Sequence, residues 1–142
     1  MRKVVDILRR KGSRVTTVAP SSSVIDALHI MADQNIGSVV VTEGDKFLGI
    51  MTERDYSRKV ILKGRSSTDT TVAEIMSSDF PVVHLRDTID HCMQLMSEQN
   101  LRYLPVMESE KLVGILSIHD VITETIITQQ ETISHLQTYI QS

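Results

Sequence analysis

Two short segments place a hydroxyl residue three positions before an aspartate. Thr52 precedes Asp55 in the first segment, and Ser117 precedes Asp120 in the second. Such a hydroxyl can cap a helix by accepting hydrogen bonds from the free backbone N–H groups of its first turn. The carboxylate can help in the cap, or it can accept hydrogen bonds from a bound ligand. Capping is the favoured interpretation for a single pair, and the recurrence of the pair strengthens the ligand-binding alternative.

The two pairs belong to a sequence that occurs twice in the chain, with the second copy 65 residues after the first. The ungapped windows 24–55 and 89–120 agree at nine positions. These are Met31/Met96, Gln34/Gln99, Asn35/Asn100, Val41/Val106, Glu43/Glu108, Lys46/Lys111, Gly49/Gly114, Ile50/Ile115 and Asp55/Asp120. Such a repeat indicates duplication of one supersecondary unit.

Each copy opens with the pattern of an amphipathic helix. Apolar residues recur at i, i+3, i+4 and i+7, which places them along one face of a helix. Ser23 and Thr88 come immediately before these runs and predict helix N-caps. The apolar positions are Val24, Ala27, Leu28 and Met31 in the first copy, and Ile89, Cys92, Met93 and Met96 in the second.

Two β-rich runs follow each helix and are separated by a polar turn, which predicts a β-hairpin. They cover residues 38–42 and 47–51, and then 103–107 and 112–116. A short strand is predicted before each helix, at 16–18 and 81–83, and a further helix starts near Asp55 or Asp120. Pro105 has no N–H for a strand ladder, so we expect its strand to lie at an edge or to meet a ligand.

The predicted fold class is therefore α+β. Two pseudo-symmetric motifs, each strand-helix-strand-strand-helix, pack as one domain. The first motif takes residues 1–65 and the second takes 66–142, with a polar, turn-rich linker at about 63–71. An extended helix ends the second motif. Because residues 123–142 contain no Lys or Arg, we expect this segment to pack on the domain or on a second subunit, not on a membrane.

Both copies end in Gly, two apolar residues, Thr or Ser, two variable residues and Asp, at 49–55 and 114–120. Residues 101–106 of the second copy read Leu-Arg-Tyr-Leu-Pro-Val. These motifs resemble the CBS (cystathionine-β-synthase-type) motif, and the tandem pair resembles a Bateman module, over nearly the whole chain. The resemblance implies a stand-alone regulatory protein without catalytic residues, which binds adenosine compounds in clefts between the paired motifs.

The resemblance also implies a role for particular residues. Asp55 and Asp120 would accept hydrogen bonds from ribose hydroxyls, and Thr52 and Ser117 would contact ribose or phosphate. The residues expected to enclose the adenine are Val18, Ile36, Val40, Val83, Leu101 and Pro105. The residues expected to meet phosphate charge are Arg54, Arg58, Arg102 and His119.

The two copies differ in one of these signatures. Gly37 and Val40 of the first copy stand where the second copy has Arg102 and Pro105. We therefore expect the two clefts to differ in affinity or in ligand. AMP or NAD is favoured as the ligand, with ATP, ADP and S-adenosylmethionine as further candidates, because few basic residues are available to balance a triphosphate.

The remaining features narrow the class of protein. A net charge of -3 and an isoelectric point near 5.9 argue against nucleic acid as a partner. No apolar run approaches the roughly 18 residues of a membrane span. The single cysteine, Cys92, excludes an intramolecular disulfide and favours the cytoplasm. The five histidines lack metal-ligand spacing, so no metal is expected.

We expect a homodimer that senses an adenine nucleotide and signals to a regulated enzyme or transporter. Enzymatic activity is not expected, because no nucleophile, base and orienting group occur together in the motifs. The alternative is a ligand-independent protein-interaction module that regulates an enzyme or transporter.

Overall fold

The computed structural model describes residues 2–141 of the chain. In chain order its elements are α1 (Val4–Lys11), β1 (Thr17–Val18), α2 (Val24–Gln34), β2 (Ser38–Glu43), β3 (Lys46–Thr52), α3 (Glu53–Tyr56), a π-helical turn (Ser57–Ile61), α4 (Val72–Ile75), α5 (Ile89–Gln99), β4 (Tyr103–Glu108), β5 (Lys111–Ser117) and α6 (Ile118–Gln141). The α+β class and the extended C-terminal helix are confirmed. None of the helices in residues 2–141 is long and apolar enough to span a membrane.

The first long helix of each copy begins at the predicted cap. The Ser23 hydroxyl accepts a hydrogen bond from the Asp26 N–H at 3.2 Å, and the Thr88 hydroxyl accepts one from the His91 N–H at 3.1 Å. Both helices end at an asparagine in the left-handed region, with φ of 54° at Asn35 and 53° at Asn100. Asparagine tolerates this conformation better than most residues, so the two copies start and stop this helix with the same chemistry.

The chain forms two compact units, one of residues 15–80 and one of residues up to 14 together with those from 81 onward. Backbone bonds explain this division. The Val4 N–H donates to the Asp87 carbonyl at 2.9 Å, which joins α1 to the second copy. The Val72 N–H donates to the Ser22 carbonyl at 2.8 Å, which joins the segment after the predicted linker to the first copy. The boundary between the two sequence motifs, between residues 65 and 66, stays a prediction.

The unit of residues 15–80 is built on a three-stranded sheet in the order β1-β2-β3. Strand β1 pairs with β2 in parallel, and β2 pairs with β3 in an antiparallel hairpin that aligns Ser38 with Thr52. Its buried core takes one face of α2, two residues of β2 and side chains from β1, β3, the π-helical turn and α4. These are Val18, Val24, Ala27, Met31, Val39, Val41, Met51, Val60, Val72 and Ile75.

The other unit departs from the prediction of three strands, because only the antiparallel pair β4-β5 is a full sheet. Val83 forms a single parallel bridge with Val106 instead of a strand. In the first copy the Val40 N–H donates to the Thr16 carbonyl at 2.9 Å. The residue equivalent to Val40 in the second copy is Pro105, which has no N–H, so this bond cannot form.

Helix α6 packs on its own unit only near its start. Val121 and Glu124 are buried there, against a core that includes Val4, Ile7 and Leu116. Residues 129–141 are exposed on every side of the helix. The side chains of the distal half of α6 are therefore not buried on its own unit, although Glu131 contacts Arg2; burial on the domain is one of the two expectations for this segment.

Candidate functional site

Asp55 and Thr52 form a reciprocal cap at the junction of β3 and α3. The Asp55 N–H donates to Thr52 Oγ1 at 3.1 Å, and the Thr52 N–H donates to Asp55 Oδ2 at 2.9 Å. The Thr52 hydroxyl adds a bond to the same carboxylate oxygen at 3.0 Å. Both residues are buried. Thr52 is the N-cap, and Asp55 completes the capping box from the first turn.

The other oxygen of Asp55 is also occupied. Ser77 Oγ donates to Asp55 Oδ1 at 2.9 Å, and Lys59 Nζ lies 3.0 Å from the same atom. A carboxylate offers about four acceptor positions, and the protein itself fills all four here. A ribose hydroxyl could bind Asp55 only by displacing one of these groups.

Asp120 has the same cap but fewer contacts. The Asp120 N–H donates to Ser117 Oγ at 3.1 Å, and the Ser117 N–H donates to Asp120 Oδ2 at 2.8 Å. Lys11, at the end of α1, donates from Nζ to Asp120 Oδ2 at 2.7 Å and to the Ile115 carbonyl at 2.7 Å. The hydrogen bonds that Lys11 Nζ and the Ser117 N–H donate to this carboxylate both end on Oδ2. These two bonds leave Oδ1 able to accept.

The charge state of Asp120 suits an acceptor. Burial raises the pKa of its carboxyl, but the Lys11 hydrogen bond, the Ser117 N–H and the Lys11 charge outweigh it and hold the pKa below its ordinary value. The side chain is 13% exposed, so its contacts are only partly screened by solvent. Asp120 is therefore an ionised carboxylate at neutral pH, held in one orientation with Oδ1 available.

A second ion pair joins the same two helices. Arg10 Nε lies 3.0 Å from Glu124 Oε1, and Arg2 Nη1 lies 3.5 Å from Glu124 Oε2. The Glu124 side chain is only 1% exposed. Since Arg10 and Lys11 are neighbours on α1, and Asp120 and Glu124 are one turn apart on α6, the two contacts act together. We call the pairs Lys11–Asp120 and Arg10–Glu124 the α1–α6 clamp.

The apolar residues predicted to enclose an adenine have two environments. Val18, Val40, Val83 and Pro105 are buried, and Ile36 and Leu101 are half-buried. Val18 and Val83 belong to the cores of their respective units. Of the six, Ile36 and Leu101 keep the most accessible surface for a ligand.

The basic residues predicted to meet phosphate lie mostly at the surface. Arg58, Arg102 and His119 are exposed, and Arg54 is half-buried. The Ile118 N–H donates to the Arg102 carbonyl at 2.8 Å, so residue 102 lies beside the start of α6, next to Ser117 and His119. Arg102 and His119 therefore lie near Asp120 along the chain and along the hairpin.

Two lysines at the aspartates were absent from the sequence prediction. Lys59 is four residues after Asp55, a helical spacing that could have pointed to it. Lys11 lies 109 residues before Asp120, and only the fold brings the two together.

The remaining nucleophile and metal candidates give no site. Cys92 is buried, and burial together with the charge of Asp87 raises the pKa of its thiol to about 12. In the described part of the chain, no three His, Cys, Asp or Glu side chains are grouped as metal ligands would be.

Comparison with known sequences identifies the class of protein. The sequence profile described as the CBS domain matches the chain twice, at residues 3–61 and 72–126. The chain belongs to the CBS domain family and carries the motif in tandem, as the residue patterns predicted. CBS-pair proteins are regulatory modules.

Particular relatives support the assignment. The chain is 32% identical to the CBS domain-containing protein CBSX3, mitochondrial, of Arabidopsis thaliana, over 97% of this chain and 71% of that protein. It is 42% identical to a putative signal-transduction protein with CBS domains from Burkholderia ambifaria, with a TM-score of 0.85, covering 89% of this chain and 96% of that one. The CBS domain pair of protein MJ0100, solved with 5′-methylthioadenosine and S-adenosyl-L-methionine, is 26% identical, with a TM-score of 0.77 over 91% of this chain and 98% of that one.

Proposed function

We propose that this protein is a regulatory module that binds an adenosine-containing ligand through Asp120. The observation that carries the proposal is the difference between the two aspartates. Asp55 has protein donors on both carboxylate oxygens, whereas the bonds from Lys11 and the Ser117 N–H to Asp120 both end on Oδ2. A carboxylate of this kind can accept hydrogen bonds from the vicinal 2′- and 3′-hydroxyls of a ribose.

Groups around Asp120 suit the rest of such a ligand. Ser117 precedes the first turn of α6, and the positive end of the helix dipole favours an anion there, although the Ile118 and Asp120 N–H groups already donate to Arg102 and Ser117. Arg102 and His119 are exposed near this turn and can meet phosphate charge. Leu101 is half-buried and offers an apolar surface for the adenine. Ser117, Arg102, His119 and Leu101 are therefore the proposed contacts of the second copy.

The evidence for ligand binding at Asp55 of the first copy is weaker. Thr52, Asp55, Arg54 and Arg58 remain proposed contacts from the family resemblance. Binding at Asp55 would require Lys59 or Ser77 to move from the carboxylate. We therefore propose that the second copy binds first and more tightly.

The proposed ligands share an adenosine group and differ in the charge attached to it. The MJ0100 pair was solved with two adenosine compounds, which supports ligands of this type. We favour AMP or NAD over ATP, ADP and S-adenosylmethionine, because a triphosphate would need more positive charge than Arg102 and His119 provide.

Signalling would pass through the α1–α6 clamp. A ligand on Asp120 changes the charge balance at Lys11, and Arg10 on the same helix turn contacts Glu124 on α6. A ligand shifts such an equilibrium only by its differential affinity for two states. We propose a homodimer whose occupancy is transmitted to a regulated enzyme or transporter, located in the cytoplasm as the single buried thiol of Cys92 favours.

Thermal-shift screening of AMP, ADP, ATP, NAD, NADH and S-adenosylmethionine tests the proposal. A ligand at 100 times its dissociation constant adds about 2.7 kcal/mol to the free energy of unfolding. We expect a stabilising shift that Asp120→Asn removes and that Asp33→Asn, an exposed aspartate on α2, retains. No shift with any compound would favour the ligand-independent interaction module.

A further inference from the structure

The distal part of α6 carries an apolar row that its own unit leaves uncovered. Ile122, Ile126, Ile133, Leu136 and Ile140 are 43%, 49%, 53%, 56% and 79% exposed. Residues 129–141 continue the helix with exposed side chains, and Glu131 contacts Arg2 on the side of α6 opposite this row. A contiguous exposed apolar row of this kind marks a surface for an interaction partner.

The exposed residues follow the spacing of a coiled coil. Ile122, Ile126, Gln129, Ile133, Leu136 and Ile140 are separated by 4, 3, 4, 3 and 4 residues. In heptad terms, isoleucine occupies each a position, at 126, 133 and 140. The d positions are Ile122, Gln129 and Leu136. Isoleucine at a with leucine at d favours two parallel strands, a pattern that Leu136 fits and Ile122 does not, while Gln129 adds one polar residue to the seam.

The packing of α6 on its own unit leaves this seam facing away. Glu124 and Glu131 are f positions, opposite the seam, and both contact Arg2. Val121, a c position on the same side, is fully buried. The c and f side of α6 therefore faces its own unit near the start of the helix, while the a and d side faces outward.

We propose that two copies of this chain associate through α6 as a parallel, two-stranded coiled coil along residues 122–140. The seam is about 28 Å long at 1.5 Å per residue. The flanking e and g positions, at 123, 125, 130, 132, 137 and 139, are Thr, Thr, Gln, Thr, Gln and Tyr. Identical helices therefore meet without like charges along the interface. The CBS profile ends at residue 126, so most of this surface lies outside the matched motif.

Disulfide trapping without added ligand tests the proposal. Gln129→Cys replaces a polar d residue, and a parallel coiled coil brings the two introduced thiols within disulfide distance. Thr138→Cys, on the opposite side of the same exposed helix, is the matched control. The native Cys92 is buried and does not compete. We expect rapid covalent dimerisation of Gln129→Cys but not of Thr138→Cys, whereas no dimer at 129 or equal dimer at both positions overturns the proposal.

Light scattering on the reduced protein gives a second, independent measurement. Ile133→Asp places a charge in the seam, and Thr138→Asp places it outside, both at exposed positions of α6. We expect Ile133→Asp to weaken self-association and Thr138→Asp to leave it unchanged. Equal behaviour of the two variants contradicts the coiled coil. If the reduced protein is a dimer but Gln129→Cys forms no disulfide, self-association is real and the α6 interface is rejected. These results are independent of ligand binding, since no ligand is added.

Discussion

Breaking the α1–α6 clamp at Arg10 tests whether buried charge holds the N-terminal helix in place. Glu124 is 1% exposed, and Arg10 is its nearer partner at 3.0 Å. A hydrogen bond to a charged group contributes about 1.5–3 kcal/mol. Arg10→Met removes that bond but leaves Arg2 at 3.5 Å, so we expect a loss of about 2 kcal/mol. Removing both arginines isolates a buried carboxylate and should cost about 4 kcal/mol.

The opposite change should be milder. Glu124→Gln leaves two arginines that are 33% and 38% exposed, and water can solvate them. We expect about 1 kcal/mol from the lost charge-assisted contact. Urea titration measures the free energy of unfolding of each variant, and the comparison holds where its dependence on urea concentration is the same. Arg9→Met, at an exposed neighbour of Arg10, is the control. The reasoning fails if Arg10→Met costs no more than Arg9→Met, or if Glu124→Gln is the most destabilising single change.

Two further predictions concern the paired glycines and the charge on Asp120. A Cβ at Gly49 would lie 2.7 Å from the Ser77 carbonyl oxygen, so Gly49→Ala should lower the free energy of unfolding by about 2–3 kcal/mol in urea titrations. Gly114→Ala meets only the flexible end of a leucine and should cost about 1 kcal/mol; equal losses would refute this difference. Because its pKa is lowered on folding, Asp120 stabilises the protein above its unfolded pKa and loses that effect as the pH falls through the folded pKa. Lys11→Met should therefore cost more stability at neutral pH than in acid, where only its bond to the Ile115 carbonyl remains to be lost; the same cost at both would contradict the prediction.

Local patterns predicted most of the helices and hairpins. Ser23 and Thr88 cap helices because their hydroxyls meet N–H groups only three residues away. The hairpin of each copy follows from two β-rich runs and a polar turn. The reduction of the third strand also has a local cause, since Pro105 lacks the N–H that Val40 donates in the first copy.

Contacts between distant residues could not be predicted in this way. The hydroxyl–aspartate spacing identified Asp55 and Asp120 as equivalent, and their caps are indeed alike. Their difference depends on Ser77 and Lys59 for Asp55, and on Lys11 for Asp120. Lys11 lies outside the aligned windows 24–55 and 89–120, so the repeat alignment carried no information about it.

The central claim is that Asp120 carries the first ligand site, and equilibrium dialysis at neutral pH tests it most directly. Purified wild-type protein, Asp120→Asn and the Asp33→Asn control would be titrated with labelled AMP and NAD. We predict that the wild type and the control bind one ligand per chain at the lower concentrations and that Asp120→Asn loses this site. Unchanged binding by Asp120→Asn, or no binding by the wild type, would contradict the account.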